Sequence, residues 1–554
     1  MRNSKLVSLV LVLLVVCMLC TSCFGREEEP DETTVGGTTT APIETTTPTP
    51  TTPGTTPAPI IPGGPDASDE PAPEDMPHDD PILLGGVNLS SYKIVYGRSQ
   101  MEKKYNSNSN KTAWEDLMNS GIENYENMLQ GENKEAEFDY ETAIRLRDLI
   151  KARFNIELEV VKDADAPNAS RYEILVGYTD RPATATITAT LKIDQFYLGL
   201  NSGVENVYAT QYLIVGGSYG ATWHALDEIE KLAPMPATED AQINITAENN
   251  TVGAYRFKTV ATIGDSITRG SQAFPDGNSY GAANGFAQKI AGSATGTYLE
   301  KFLSWPSVLQ RELWKDYLIC NYGQGYATMI DDTKDIYPDS GPYYYNDLQK
   351  FANLLAESDR DDFDFDLVLI MLGTNDAGRA GGAAKWKDGN KDEFMQEAEN
   401  LLRKISKGSP DATFVFMNAP HRCDGNANSE ANDAAIRELQ KLTAKRMIQK
   451  GYSVLMYDME RYTVENLTAD GMTCAEKKDD AAGKTTAALL EEEKVIHGDY
   501  YNIKTDTGSP DTTHPNYRGY GKIAEGMKDL LLHFFEGAEA PEYMIDPLVE
   551  TPAE

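Results

Sequence analysis

The chain has 554 residues, enough for several domains and more than one hydrophobic core. Lys and Arg number 50 against 86 Asp and Glu, a formal net charge of -36. A surface this acidic repels phosphate backbones and anionic bilayers, which excludes nucleic acid as a partner and says nothing of the fold.

Arg2 and Lys5 precede an apolar run from Leu6 to Leu19, which ends in Cys20-Thr21-Ser22-Cys23. The run is shorter than the roughly 20 apolar residues that a spanning helix needs, so residues 1–23 read as an export signal. Thr21 and Ser22 before Cys23 resemble the lipobox of bacterial lipoproteins, with Cys20 where that box usually holds Leu. The resemblance implies lipidation of Cys23 and anchorage on the outer face of a bacterial cytoplasmic membrane, the only membrane contact expected. Plain secretion with cleavage nearby is the alternative, and on either reading the mature chain leaves the cytoplasm.

From residue 24 to about 81 Thr, Pro, Gly and acidic residues dominate, as in Thr45-Thr46-Thr47-Pro48-Thr49-Pro50. So few apolar groups cannot offset the entropy of ordering, and the segment reads as a tether.

Residues 82–250 read as a smaller α/β unit. Thr142–Ile150 has helical spacing, Ile156–Val161 alternates as a strand, Tyr172–Gly177 and Tyr212–Gly217 are further strands, and Gly220–Leu232 is a helix. The order of these elements resembles the accessory domain that precedes the catalytic barrel of some polysaccharide hydrolases, which implies a packing or substrate-orienting module. Gly216-Gly217-Ser218-Tyr219-Gly220 joins a strand to a helix as a phosphate-cradling loop would, but it lacks the Gly-Lys-Ser/Thr ending and an acidic ribose partner.

Residues 255–540 alternate strands with helices. Strands are predicted at Thr259–Ile263, Tyr317–Asn321, Leu367–Leu372, Thr413–Met417 and Ser453–Tyr457, and helices around Ser307–Lys315, Lys391–Lys407, Ala431–Lys450 and Asn516–Phe535. Nearly continuous apolar strands separated by helices predict a doubly wound α/β domain on a parallel five-stranded sheet. Residues 462–509 read as an insertion.

Three stretches of this unit carry chemistry. Gly264-Asp265-Ser266-Ile267-Thr268 follows the first strand, so Ser266 falls at the carboxyl edge of the sheet, where open α/β sheets bind ligands. Gly373-Thr374-Asn375-Asp376 ends the third strand and offers the Asn375 amide as a donor to a developing oxyanion. Asp511-Thr512-Thr513-His514-Pro515 pairs a carboxylate with an imidazole three residues on, an offset that one loop or helical turn could present on one face. Of the other histidines, His78 lies in the tether, His224 and His533 fall in helices as structural or solvated residues, and His421 and His497 lie in loops that could line a pocket.

With Asn321-Tyr322-Gly323, these stretches resemble, in order and sheet position, the blocks of SGNH/GDSL-type esterases. The resemblance implies Ser266 as nucleophile, His514 as general base and then acid, Asp511 as its orienter, and Asn375 with the Ser266 backbone N–H in the oxyanion hole. The family places a Gly five residues after the second-block Asn, where this chain has Tyr326, with Gly325 one position earlier; either can be the third donor. No metal or cofactor is required, since Asp511 and His514 lack further ligands at readable spacing. The substrate expected is an acylated carbohydrate or another small ester. A lysophospholipase or general short-chain esterase, and a non-catalytic glycan-binding module on a hydrolase fold, are the alternatives.

Cys320 lies in a predicted strand as a small buried apolar residue, whereas Cys423 and Cys474 lie in loops, where a bridge and two free thiols both fit the sequence. Trp305, Tyr343, Tyr344 and Tyr345 read either as a sugar-stacking wall or as simple packing. The sequence carries no signal for an oligomeric state.

Overall fold

A run such as Tyr212–Gly216 has no polar face to offer water, so it forms a strand only where both sides are covered. The computed structural model describes residues 78–97, 125–188, 190–201, 210–233, 238, 241–270, 304–323, 327–329, 364–377, 391–422, 427–467, 501–504, 509–515 and 517–549. Among them, two six-stranded sheets are built largely from such runs. The chain divides by its internal contacts into Met1–Pro62 and Gly63–Glu554, and both sheets lie in the second part.

The amino-terminal strands are β1 (Ile82–Leu84), β2 (Val87–Asn88), β3 (Lys93–Tyr96), β4 (Val160–Lys162), β5 (Glu173–Val176), β6 (Gln195–Leu200), β7 (Tyr212–Gly216), β8 (Ile243–Ile245) and β9 (Thr251–Ala254). The first sheet has the order β4-β3-β5-β7-β6-β9, with β6 and β9 antiparallel to their neighbours. β1, β2 and β8 form a separate three-stranded sheet. Helix α1 (Tyr125–Phe154) lays Ala143, Leu146 and Ile150 on this core, one side chain per turn of its buried face. The alternation over residues 156–161 predicts a longer strand than forms. β4 is an edge strand whose partner is the four-residue β3, so the ladder has nothing more to pair with. The helix expected over 220–232 is broken into α2 (Tyr219–Ala225), a 3-10 turn at Leu226–Glu228 and α3 (Ile229–Leu232).

In the carboxyl-terminal half, β10 (Lys258–Gly264), β11 (Tyr317–Gly323), β12 (Leu367–Met371), β13 (Thr413–Met417) and β14 (Val454–Tyr457) form the expected parallel sheet, in the order β11-β10-β12-β13-β14. Further on, β15 (Tyr501–Lys504) and β16 (Ser509–Pro515) pair as an antiparallel ribbon. A sixth strand absent from the sequence reading, β17 (Met544–Ile545), closes the β14 edge antiparallel. Two residues are too short for any periodicity to reveal them.

Side chains alternate strictly across this sheet. Ala261, Ile263, Val368, Ile370, Phe414 and Phe416 enter one core, while Val260, Leu367, Leu369, Met371, Val415 and Met417 enter the other. Helices α4 (Ser266–Arg269), α5 (Trp305–Glu312), α6 (Thr374–Ala377), α7 (Lys391–Gly408), α8 (Ala427–Gln449), α9 (Met459–Leu467) and α10 (Tyr517–Glu536) complete the described half. Phe394, Ala398, Leu401, Leu402 and Ile405 of α7 cover the first face, and Tyr520, Ile523, Ala524, Met527, Leu530 and Leu531 of α10 cover the second.

An aromatic seam joins the two sheets. Trp314 stacks on Phe138 of α1 with centroids 4.5 Å apart, and Phe257 and Leu318 enter the amino-terminal core. His224 stacks flat on Tyr255 at 3.4 Å, with Nδ1 2.9 Å from Asp227 Oδ2 and Nε2 3.0 Å from the Lys315 carbonyl oxygen. It is therefore a structural histidine, as expected.

Candidate active site

Register aligns the ends of the three central strands. Gly264 lies opposite Gly323 on one side and Met371 on the other, so whatever follows these strands emerges at one edge. That edge flanks the point where strand order reverses around β10, the crevice where such sheets bind ligands.

Ser266 emerges there as the first residue of α4. Asp265 caps the helix, its Oδ1 accepting the Ile267 N–H at 2.9 Å. Gly270, at φ 88°, ends it after one turn, with its N–H shared between the Ser266 and Ile267 carbonyl oxygens at 3.1 Å each. A β-carbon at Gly264 would stand 1.9 Å from Thr268 Oγ1 and 2.8 Å from the Met371 carbonyl oxygen, so only glycine lets the chain turn this tightly. Ser266 is half-buried, within reach of solvent.

His514 arrives from β16 and places Nε2 2.8 Å from Ser266 Oγ. The segment carrying it is a strand, not the loop or helical turn expected, so a three-residue offset no longer sets Asp511 and His514 on one face by itself. The Asp511 side chain lies outside the described residues.

Asn375 stands on α6, just after Gly373, whose φ of 125° turns β12 into the helix. Its Nδ2 donates to the Ala327 carbonyl oxygen at 3.0 Å, which fixes the amide and commits one of its two hydrogens. Tyr326 and Gly325, the two candidates for the third donor, lie outside the described residues, immediately before Ala327. Asn321 is a brace: its Nδ2 donates to the Thr268 carbonyl oxygen at 3.0 Å and its Oδ1 accepts the Gly323 N–H at 2.9 Å. It ties β11 to the turn carrying Ser266.

The electrostatic feature missed by sequence reasoning is Asp265, which is 1% exposed. Burial pushes its carboxyl up to about 6, opposed by the Ile267 N–H bond and by the nearby His514. The GDS spelling shows an acid at this position, but nothing local announces its burial. Cys320 is a buried free thiol raised by burial to about 12, an inert core residue.

Other candidates fall away from this edge. Trp305 is fully buried in the α10-side core and cannot stack on a sugar, which corrects its place in a binding wall; Tyr343, Tyr344 and Tyr345 lie outside the described residues. His421 donates its backbone N–H to Thr463 Oγ1 at 2.8 Å, and His533 Nδ1 lies 2.7 Å from the Ala538 carbonyl oxygen. Cys23, Cys423, Cys474 and His497 lie outside the described residues. Among the described residues no group of three or more His, Cys, Asp or Glu could hold a metal ion, and no helix is long and apolar enough to cross a membrane.

A parallel β11-β10-β12-β13-β14 sheet with a hydroxyl and an imidazole at hydrogen-bond distance on its carboxyl edge defines a doubly wound α/β domain of the SGNH hydrolase kind. Residues 260–527 match the family model of the GDSL-like Lipase/Acylhydrolase, so the carboxyl-terminal half carries an SGNH/GDSL-type carboxylic ester hydrolase domain. No curated protein matches the sequence. Among solved structures, Est24, a carbohydrate acetylesterase from Sinorhizobium meliloti, is 16% identical over 50% of this chain and 100% of its own, with a TM-score of 0.29. A family two carbohydrate esterase from Clostridium thermocellum is 15% identical over 52% of this chain and 69% of its own, with a TM-score of 0.28.

Proposed function

We propose that the protein is an exported serine esterase that removes acetyl or other short acyl groups from carbohydrate, tethered by residues 24–81 to a lipid anchor at Cys23. The observation that carries the catalytic part is the 2.8 Å separation of His514 Nε2 and Ser266 Oγ. As the Oγ–C bond to the ester carbonyl forms, the hydroxyl proton passes to Nε2, and the carbonyl oxygen takes up the negative charge. Asn375 and the Ser266 backbone N–H, the latter at the positive end of α4, would meet that charge. Collapse expels the alcohol, which takes the proton back from Nε2. Water then repeats the sequence on the acyl-enzyme and releases the acid. Asp511 is assigned the orientation of the ring through its other nitrogen.

Support for a carbohydrate substrate comes from the Thr/Pro-rich segment, which suits an enzyme held out from a cell surface, taken together with the amino-terminal unit, whose order of elements resembles the accessory domain of some polysaccharide hydrolases. No metal or cofactor enters the scheme. Purified protein incubated with acetylated xylan and with lysophospholipid micelles decides the matter. Acetate release with no fatty acid release supports the proposal, and the reverse result replaces it with a lysophospholipase. Absence of Ser266 labelling by a fluorophosphonate, with no ester turnover, would leave a binding module.

A further inference from the structure

The amino-terminal half encloses a cavity of about 240 Å³, well away from the residues of the catalytic edge, between α1, the first sheet and the small β1-β2-β8 sheet. Its walls are aliphatic, with Leu84, Leu146, Ile174 and Ile245 among them. An apolar cavity of about 150 Å³ stays dry and takes up benzene, so by proportion this one holds roughly eight to ten carbons.

Two polar groups interrupt the lining. The Tyr212 side chain is 2% exposed, and its hydroxyl is buried with no hydrogen-bond partner among the described residues. A phenol in that condition forfeits free energy that a ligand acceptor would restore. Arg153 is the one charged residue of the lining among the described residues. It stands in the last turn of α1, with its guanidinium carbon 5.7 Å from the Phe154 ring. Ala152 is exposed and Arg153 and Phe154 are half-buried, so this wall meets solvent.

Both residues line the one cavity. Tyr212, Ile174, Ile94 and Val160 share one row of the register, and α1 ends shortly before Val160. The arrangement is an apolar chamber with Arg153 at its solvent-facing wall and Tyr212 in its lining.

We infer that this cavity is a binding site for a linear alkyl carboxylate of about eight carbons, its chain in the chamber and its head group taken by Arg153 and the Tyr212 hydroxyl. The site is separate from ester hydrolysis, and its existence does not depend on the catalytic assignment.

The test is titration of the full-length protein with hexanoate, octanoate, decanoate and octanol, read by calorimetry and by the thermal midpoint. One saturable site is expected for octanoate, with affinity rising about fourfold per added methylene until the chamber is full. Ala233→Leu, which narrows the chamber, should abolish that binding and leave ester turnover unchanged; Leu149→Phe serves if the first variant does not fold. Tyr212→Phe should weaken octanoate about tenfold without lowering the midpoint of the unliganded protein. Arg153→Gln should weaken octanoate and leave octanol unaltered. No saturable binding of octanoate, binding that survives both narrowing variants, or octanol bound as tightly as octanoate would each overturn the inference. Binding that survives narrowing but is blocked by prior fluorophosphonate labelling would place the carboxylate at Ser266 instead, and also overturns it.

Discussion

Ser266 Oγ and His514 Nε2 lie 2.8 Å apart although 248 positions separate them in the chain. In the proposed scheme that distance lets the imidazole take the hydroxyl proton as the serine attacks. Ser266→Ala is expected to abolish hydrolysis of a short-chain aryl ester without changing the thermal midpoint, since the half-buried hydroxyl adds little to packing. Asn375→Ala should lower kcat about 10²- to 10³-fold through loss of an oxyanion donor. Steady-state kinetics of both variants check the pair of expectations, and full turnover in either removes that residue from the scheme.

The turn behind the serine is equally constrained. At Gly264 an added methyl group meets Thr268 Oγ1 at 1.9 Å and the Met371 carbonyl oxygen at 2.8 Å. The threonine hydroxyl can rotate away, but the Thr268 Cβ, 2.5 Å from the added carbon, and the β12 backbone cannot. Gly264→Ala should therefore cost about 1–3 kcal/mol in stability, the usual range for overpacking, and lower kcat more than it changes KM, because the displaced element carries Ser266. Thr268→Ala in the same chain removes the hydroxyl but neither its Cβ nor the backbone contact, and should not restore activity. Urea denaturation and kinetics on the single and double variants provide the readout.

How much of this was legible in the sequence depends on the length of the signal. The strands β10 to β14 were readable because each is a nearly unbroken apolar run, and the helices α7 and α10 because their buried positions recur with helical spacing. Ser266, Asn375 and His514 were readable because short motifs place them just past strand ends or beside a carboxylate. What escaped was set by distant partners. Met544–Ile545 is a strand because β14 offers an open edge, and Trp305 is core because α5 turns it inward against α10. The strand character of Ser509–Pro515 depends on pairing with Tyr501–Lys504, and no local propensity of Asp-Thr-Thr-His reveals it.

Asp265 should make stability depend on pH. Its carboxyl lies at about 6 in the folded protein against an ordinary 3.8, and burial is the main cause. The folded state therefore holds the proton more tightly than the unfolded one. This contribution favours folding below about pH 4, fades as pH rises, and is lost above about 6, a swing of roughly 3 kcal/mol. Asp265→Asn keeps an oxygen to cap Ile267 and cannot ionise. Denaturant midpoints of the variant should rise relative to the parent between pH 4 and 7 and run parallel above that. A difference independent of pH would mean that the carboxyl is solvated.

The amino-terminal half contains its own electrostatic commitment. Glu173 is fully buried in the middle of the first sheet, where Arg181 grips it through Nε at 3.0 Å and Nη2 at 2.8 Å and Gln211 Nε2 adds a bond at 2.9 Å. With both charges out of water, the pair is worth little against an apolar substitute, but losing one partner strands the other. Arg181→Met should destabilise the protein by about 3–5 kcal/mol. Adding Glu173→Leu to that variant should recover most of the loss, because the charge left behind, and not the missing contact, carries the cost. Thermal melts of the two single variants and the double variant test this, and additive losses would mean that Gln211 and Lys93, 3.7 Å from the carboxylate, already satisfy it.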